Sequence, residues 1–169
     1  MHKTTAVRIM WCLLGATCGL ALSLTVAGPQ VATVLFASLG GTAVFLFGLT
    51  RAPAGQPRAI FGGHLGGAAI GIGCYQVFGE ALWVYVLALV VTMAVMLATR
   101  TVHPPASANP LLMVYAHANW IMLWQPVFLG VSALVLVAVV WSRLYPGLSH
   151  YPVSVLEPSP KQATWGGWG

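Results

Sequence analysis

Long uncharged stretches dominate the pattern of hydrophobic and polar residues along this chain. Between Trp11 and Trp141 the stretches 11–50, 59–79, 81–99 and 101–142 carry no charge and are rich in Leu, Val, Ala, Gly and Phe. A soluble domain would cover such stretches with charged residues, whereas a helix that crosses a bilayer needs about 20 apolar residues. The pattern therefore predicts an all-α integral membrane protein whose main partner is the lipid bilayer.

Turn-forming residues divide this pattern into six membrane-inserted helical elements. Breaks fall at Gly28-Pro29, at the loop 51–58 (RAPAGQPR), at Gly79-Glu80 and at 101–105 (TVHPP). The predicted elements are 9–27, 31–49, 59–78, 81–99, 105–119 and 122–142. The fifth is short, so a full crossing and a re-entrant half-helix are both open for it.

The elements make one transmembrane domain, residues 1–143, followed by a tail, residues 144–169. The tail is polar and rich in Pro and Gly. Such a composition cannot bury a core, so we expect the tail to be disordered or to lie on the membrane surface. The basic start before the first apolar run resembles a signal peptide, but the run is long enough to span and is expected to stay uncleaved.

The basic residues predict the orientation of the chain. With six crossings, all seven Lys and Arg fall on one side and Glu80 falls on the other. With four crossings, the loop that carries Arg51 and Arg58 would face outward. By the positive-inside rule the six-element arrangement is favoured, with both termini in the cytoplasm. We expect a bacterial inner membrane protein.

A faint internal repeat relates the two halves of the domain. A shift of 69 positions lays Ala37-Ser38 on Ala106-Ser107 and Gln56-Pro57 on Gln125-Pro126, with pseudo-repeats at about 9–78 and 81–142. Three elements in each half make the repeat an inverted one. Transporters with inverted repeats bind substrate near the middle of the membrane, where short or broken helices meet.

The stretch from His103 to Asn109 (HPPASAN) is the best candidate for chemistry. Two consecutive prolines cannot continue a helix, but a proline suits the first turn of a new one. A helix is therefore predicted to begin near Pro105, with the N–H groups of Ala106, Ser107 and Ala108 unpaired. Such an end binds small anions, and a backbone break at membrane depth indicates a cavity.

The matching segment of the first half is 37–42 (ASLGGT), which is predicted to present a second helix end. His64 and His103 are ionisable groups inside apolar segments, which are usually functional, and either histidine could supply a proton. The predicted substrate site comprises Ser38, Gly40, Gly41, Thr42, His64, His103, Pro104, Pro105, Ala106, Ser107 and Asn109, and the predicted cytoplasmic mouth comprises Gln56, Arg58 and Arg100. The GxxxG spacings from Gly62 to Gly71 favour close helix packing, within the chain or between subunits.

Several classes of function are excluded by composition. The sequence contains no Asp, and its only acids are Glu80 and Glu157. No His or carboxylate pairs stand at helical spacing, so we predict no metal, and a Ser107–His103 pair would lack an orienting third group. We therefore predict neither an enzyme nor a cofactor. No basic stripe with interleaved aromatics is present, which argues against nucleic-acid binding.

Three motifs in the same order resemble the HPP family of integral membrane proteins. They are ASLGGTAVFLFG, GQPRAIFGGH and HPPASANPLL, and the resemblance covers most of residues 9–143. Ser107 stands where the family pattern HPPAGA has Gly. Family descriptions often give four spans, in contrast to the six elements predicted from charge. Members from cyanobacteria and plastids are implicated in nitrite transport, so the resemblance implies a transporter of small anions.

The predicted function is transport of a small monovalent anion, nitrite being the first choice, by a homo-oligomer. A channel for small neutral solutes or weak acids is one alternative. A membrane scaffold or partner subunit that transports nothing is another.

Overall fold

The computed structural model describes residues 3–156 and 158–159, and leaves the side chains of Lys3, Thr4 and residues 29–34 undescribed. Its α-helices are α1 Lys3–Ala27, α2 Pro29–Ala43, α3 Pro57–Phe78, α4 Leu82–Thr99, α5 Ala108–Tyr115 and α6 Leu129–Leu144. A π-helical turn, Val44–Gly48, extends α2, and another, Leu123–Phe128, leads into α6. Short 3₁₀ turns cover Pro53–Gly55 and Pro104–Ser107. The predictions of an all-α protein and of six helical elements are confirmed.

Apolar side chains cover the outside of the bundle. Three helical stretches are long and apolar enough to cross a membrane: Thr5–Ala27, Leu82–Thr99 and Leu123–Leu144. Their outer faces expose Leu13 and Leu14 on α1, Val86 and Val90 on α4, and Leu136 on α6. Contiguous apolar surface of this extent is unusual on a soluble monomer, and it matches the acyl chains of lipid.

The fifth element covers the same distance as α4, although its helix is short. The 18 residues of α4 lead from Glu80 to Arg100, a length of about 27 Å. At the far end of the fifth element, His117 lies 2.6 Å from Glu80, so the chain has come back to the end of the bundle where α4 begins. An extended stretch, a four-residue 3₁₀ turn and the eight-residue α5 together reach about 30 Å at their usual rises. The fifth element therefore runs the full length of α4, which favours a full crossing over a re-entrant half-helix.

All five arginines lie at one end of the bundle, which we call the basic end. Their side chains meet the C-terminal tail or the chain beside it: Arg8 lies near Gly147, Arg51 donates to Ser149, Arg58 to the carbonyl of Thr99, Arg100 to the carbonyl of Ser159, and Arg143 to the carbonyl of Tyr151. Glu80 lies at the opposite end, which we call the acidic end. This separation is the one predicted for six crossings.

Helix α3 packs against the fifth element through its glycines. A Cβ added at Gly62 would lie 2.6 Å from Thr101, and one added at Gly71 would lie 2.6 Å from the backbone of Pro110. Such distances leave no room for any side chain. These glycines therefore serve close packing within the chain.

The first part of the tail packs over the basic end. Tyr151 is buried, and its N–H donates to the hydroxyl of Ser142. The side-chain oxygen of Gln56 accepts hydrogen bonds from the N–H groups of Val153 and Ser154. Residues 145–156 and 158–159 thus lie on the basic end, and the expectation that the tail is disordered or lies on the membrane surface stays a prediction. The same expectation for residue 157 and for 160–169 lies outside the described residues.

Candidate functional site

The break predicted after α4 is present and buries His103. Arg100 adopts a left-handed conformation (φ 57°), which ends α4, and His103 is extended just before the two prolines. The His103 side chain has no exposed surface. Its Nδ1 lies 2.6 Å from the carbonyl oxygen of Ala54, and its Nε2 lies 2.9 Å from the hydroxyl of Thr42. The break therefore directs an imidazole into the bundle.

His64 meets the same hydroxyl from the other side. Its Nε2 lies 2.8 Å from the oxygen of Thr42, and the two imidazole centroids are 5.2 Å apart. The side-chain amide nitrogen of Asn109 lies 3.0 Å from His64 Nδ1 and donates to the His64 carbonyl at 3.1 Å. Thr42, His64, His103 and Asn109 are all fully buried, and we call them the polar cluster.

The polar cluster sits inside the bundle, nearer to the basic end than to the acidic end. His64 is the seventh residue after Pro57, which places it about 10 Å along a 22-residue helix that is about 33 Å long. Neighbouring elements supply each member: Thr42 comes from α2, His64 from α3, His103 from the break and Asn109 from α5. Residues far apart in sequence are thus joined in one hydrogen-bonded group.

The predicted pair of opposed helix ends is wrong. Ser38 and Thr42 lie inside α2, which has no break there. At the other segment, the N–H of Ala106 donates to the carbonyl of His103 at 2.9 Å, and the N–H of Ala108 donates within the 3₁₀ turn. The turn thus pairs amides that a free helix start would leave open. Side chains, rather than bare amides, face each other at this site.

The other predicted site residues have mixed positions. Ser38 is buried below Thr42, whose hydroxyl lies 2.8 Å from the Ser38 carbonyl. A Cβ added at Gly41 would lie 2.9 Å from Pro105. A Cβ added at Gly40 would have no atom within 4 Å, and Gly40 lies outside the polar cluster. The hydroxyl of Ser107 donates to the Pro104 carbonyl at 2.7 Å, so Ser107 also lies outside it.

The predicted mouth residues lie at the basic end. Gln56 is buried, and its amide nitrogen donates to the carbonyls of Thr50 and Ala52, which holds the loop before α3 in place. Arg58 is exposed, while the guanidinium of Arg100 is occupied by the Ser159 carbonyl. The three residues thus brace the loop, α4 and the tail.

A cavity of about 230 Å³ adjoins His103 at the basic end. It is lined mainly by apolar groups: Phe45, Ala52, Pro53, Ala54, Val102, Pro104 and Ser159. The ring of Phe45 also packs edge-on against the His103 imidazole, with the centroids 5.3 Å apart. The polar cluster lies on the far side of these lining residues and is fully buried, so it has no open connection to the cavity in this conformation.

Some features of the site have no clear signal in the sequence. The carbonyl of Ala54 contacts His103, yet any residue could offer that carbonyl. Asn109 Oδ1 and Thr92 Oγ1 are buried without a hydrogen-bond partner. Buried polar atoms in proteins are usually paired, so these two oxygens are exceptions. Among the described residues, no group of three His, Cys, Asp or Glu could hold a metal ion.

A second polar group lies at the acidic end. The Nε2 of His117 lies 2.6 Å from one carboxylate oxygen of Glu80, and the hydroxyl of Tyr85 donates to the other at 2.6 Å. The hydrogen bonds from His117 and Tyr85 lower the pKa of the Glu80 carboxyl. This group joins the loop after α3 to the end of the fifth element.

The fold and the polar cluster define a polytopic α-helical membrane protein with a buried polar site. The model of the HPP transmembrane region matches residues 1–152, so the chain belongs to this family. Two transmembrane proteins of Dictyostelium discoideum are each 31% identical to it, over 115 and 127 residues. These matches cover 63% and 70% of this chain and 40% of each relative's length. No solved structure matches the chain.

Proposed function

We propose that this protein transports a small monovalent anion, with nitrite as the first candidate, through the polar cluster. The observation that carries the proposal is a set of buried imidazole, hydroxyl and amide groups in the interior of a lipid-facing bundle. Ionisable groups at such depth are costly and are usually placed on a transport pathway. Membership of the HPP family supports a membrane transport role.

The chemistry of the polar cluster favours an anion over a cation. In the part of the chain that the structure describes, no carboxylate hydrogen-bonds to the four residues, and their side chains offer N–H and O–H donors. A protonated imidazole would add a positive charge. At the basic end, Arg58 is exposed and can raise the local concentration of anions near the cavity.

The wider arrangement is also part of the proposal. We place the basic end and both termini in the cytoplasm of a bacterial cell, in agreement with the positive-inside rule. The inverted repeat is supported by packing, because α1 lies along α6 as α4 lies along α3. Six elements form a thin wall around one site, which favours a homo-oligomer.

Anion uptake into vesicles that contain the purified protein tests the proposal. Uptake of nitrite, nitrate, formate and chloride would be compared with uptake into protein-free vesicles. His103→Leu keeps a similar volume but removes both ring nitrogens. We expect it to lower nitrite uptake roughly tenfold to a hundredfold, since a hydrogen bond to a charged group contributes about 1.5–3 kcal/mol.

A matched control separates this effect from a general loss of histidine. His150→Ala removes an exposed histidine of the tail and is expected to leave uptake unchanged. If none of the four anions enters above the protein-free rate, the proposed function is wrong. If nitrite enters and His103→Leu transports it as fast as the wild type, the proposed site is wrong.

A further inference from the structure

The amide of Asn109 fixes which nitrogen of His64 carries a proton. Asn109 Nδ2 donates to the His64 carbonyl at 3.1 Å, so the nitrogen of this amide, and not its oxygen, faces His64 Nδ1 at 3.0 Å. Because the amide nitrogen can only donate, His64 Nδ1 must accept a hydrogen bond from it. A neutral imidazole has one donor and one acceptor, so the proton of His64 is on Nε2 and points at Thr42.

The opposite assignment holds for His103. The Ala54 carbonyl can only accept, so the Nδ1 of His103, 2.6 Å away, carries the proton. The Nε2 of a neutral His103 is then an acceptor, 2.9 Å from the hydroxyl of Thr42. Thr42 receives a hydrogen bond from His64, and its own proton is shared between His103 and the Ser38 carbonyl.

We propose that His64, Thr42 and His103 relay protons, so that the anion crosses together with one proton. This inference rests on the transport function proposed above. A proton that binds Nδ1 of His64 makes an imidazolium. Its Nε2 proton passes to the Thr42 oxygen while the Thr42 proton passes to Nε2 of His103. His103 then releases its Nδ1 proton beside Ala54, so one proton enters and one leaves.

The unpartnered side-chain oxygen of Asn109 fits the state of the relay after one proton has been transferred. After one proton has passed along the relay, His64 carries its proton on Nδ1 and no longer on Nε2. In that state Nδ1 needs an acceptor, whereas in the present structure it faces the amide nitrogen of Asn109. Rotation of the amide would bring Oδ1, which has no partner in the present state, to that proton. Asn109 is thus a positioning residue that sets the direction of the relay.

The relay is free of fixed charges. Among the described residues, no carboxylate, Lys or Arg hydrogen-bonds to either imidazole. Their side-chain nitrogens face the Thr42 hydroxyl, the Asn109 amide and the Ala54 carbonyl. The nearest charged groups along the chain are Arg58 and Arg100, which bind carbonyls at the basic end. No fixed charge therefore holds either imidazole in its protonated form. At the basic end the relay stops next to the cavity, because Ala54 lines it.

Parallel measurement of nitrite uptake and internal pH in vesicles tests the relay. Protein-free vesicles set the background, since neutral nitrous acid crosses lipid. Thr42→Val keeps the shape of the side chain and removes the hydroxyl that joins the histidines. We expect it to lower both fluxes about a hundredfold, the lower range of what a positioned proton transfer contributes. Thr42→Ser restores the hydroxyl and should restore both fluxes.

Thr25→Val is the matched control. The Thr25 hydroxyl donates to the carbonyl four residues earlier at 2.7 Å, the same local bond that Thr42 can make, but it is exposed on α1. A second variant, Asn109→Asp, covers the case in which Thr42→Val fails to fold. A carboxylate beside His64 favours its protonated form, so the pH of half-maximal uptake should rise.

The outcomes separate the relay from the transport function. If Thr42→Val folds and keeps both wild-type fluxes, or if Asn109→Asp leaves the pH profile unmoved, the relay is wrong and anion transport stands. If the wild type moves protons through Thr42 but takes up no anion, the proton relay stands, whereas its coupling to an anion and the anion function are wrong. If the wild type moves neither, both proposals are wrong.

Discussion

Replacing Gly71 by alanine tests how closely α3 packs against the fifth element. An added Cβ would lie 2.6 Å from both the Cα and the carbonyl oxygen of Pro110, and 2.9 Å from Cβ of Met113. Carbon atoms in contact are normally about 3.5–4.0 Å apart. The atoms in the way are backbone, so α5 itself would have to move by about 1 Å to reach that distance.

The size of the effect follows from two opposing contributions. Overpacking of this kind costs about 1–3 kcal/mol, whereas alanine stabilises a helix by about 1 kcal/mol relative to glycine. Gly73 lies in the same helix and has open space at its Cβ position. Gly73→Ala therefore carries only the second contribution. The free energies of unfolding of the two variants should differ by about 1–3 kcal/mol, with Gly71→Ala the less stable.

Reversible unfolding in detergent micelles, followed by circular dichroism, measures this difference. Both variants would be compared with the wild type in the same micelle. Gly66→Ala is a second control, because its Cβ position is also open. Equal stability of Gly71→Ala and Gly73→Ala would refute the argument that α5 leaves no space at Gly71.

Two further predictions concern the ends of the bundle. The hydrogen bonds from His117 and Tyr85 lower the pKa of Glu80 in the folded protein. The ionised carboxylate therefore stabilises the fold above the pKa of the unfolded chain, about 4.3. This stabilisation is lost as the pH falls through the lowered pKa of the folded protein. Thermal melts should show Glu80→Gln less stable than the wild type at neutral pH, with the gap closing in acid; a constant gap would contradict this. Gln56→Leu removes the acceptor of Val153 and Ser154 and should cost about 1–3 kcal/mol. We expect faster proteolysis of its tail, and an unchanged cleavage rate would show that Gln56 does not hold the tail.

The sequence was most informative where apolar runs end at turn residues. The predicted element 81–99 agrees with α4 at Leu82–Thr99, and the end of α1 at Ala27 agrees with the break at Gly28-Pro29. These two boundaries depend only on local composition, which is why the predictions agree with the structure. His64 and His103 stand out in the sequence because imidazoles are rare in apolar segments, and their functional role stays a prediction.

Inferences that depend on distant contacts were less successful. Gly40 and Gly41 suggested a helix end, but Gly41 instead makes room for Pro105 within an intact helix. The two prolines do start a new turn, as expected, but its 3₁₀ bonds use amides that we expected to find unpaired. The pairing of Asn109 with His64 joins positions 45 residues apart. No local pattern contains that pairing.

The distribution of charge along the bundle limits how an anion can cross. All five arginines are at the basic end and Glu80 is at the acidic end, while the polar cluster contains only groups that are neutral or can gain a proton. Moving an ion out of water into such an interior costs several kcal/mol unless an opposite charge compensates it. A fixed lysine or arginine would compensate the anion but would also hold it. A histidine gains its charge only when it binds a proton and loses it on release, so the proposed relay would allow the anion both to enter the site and to leave it.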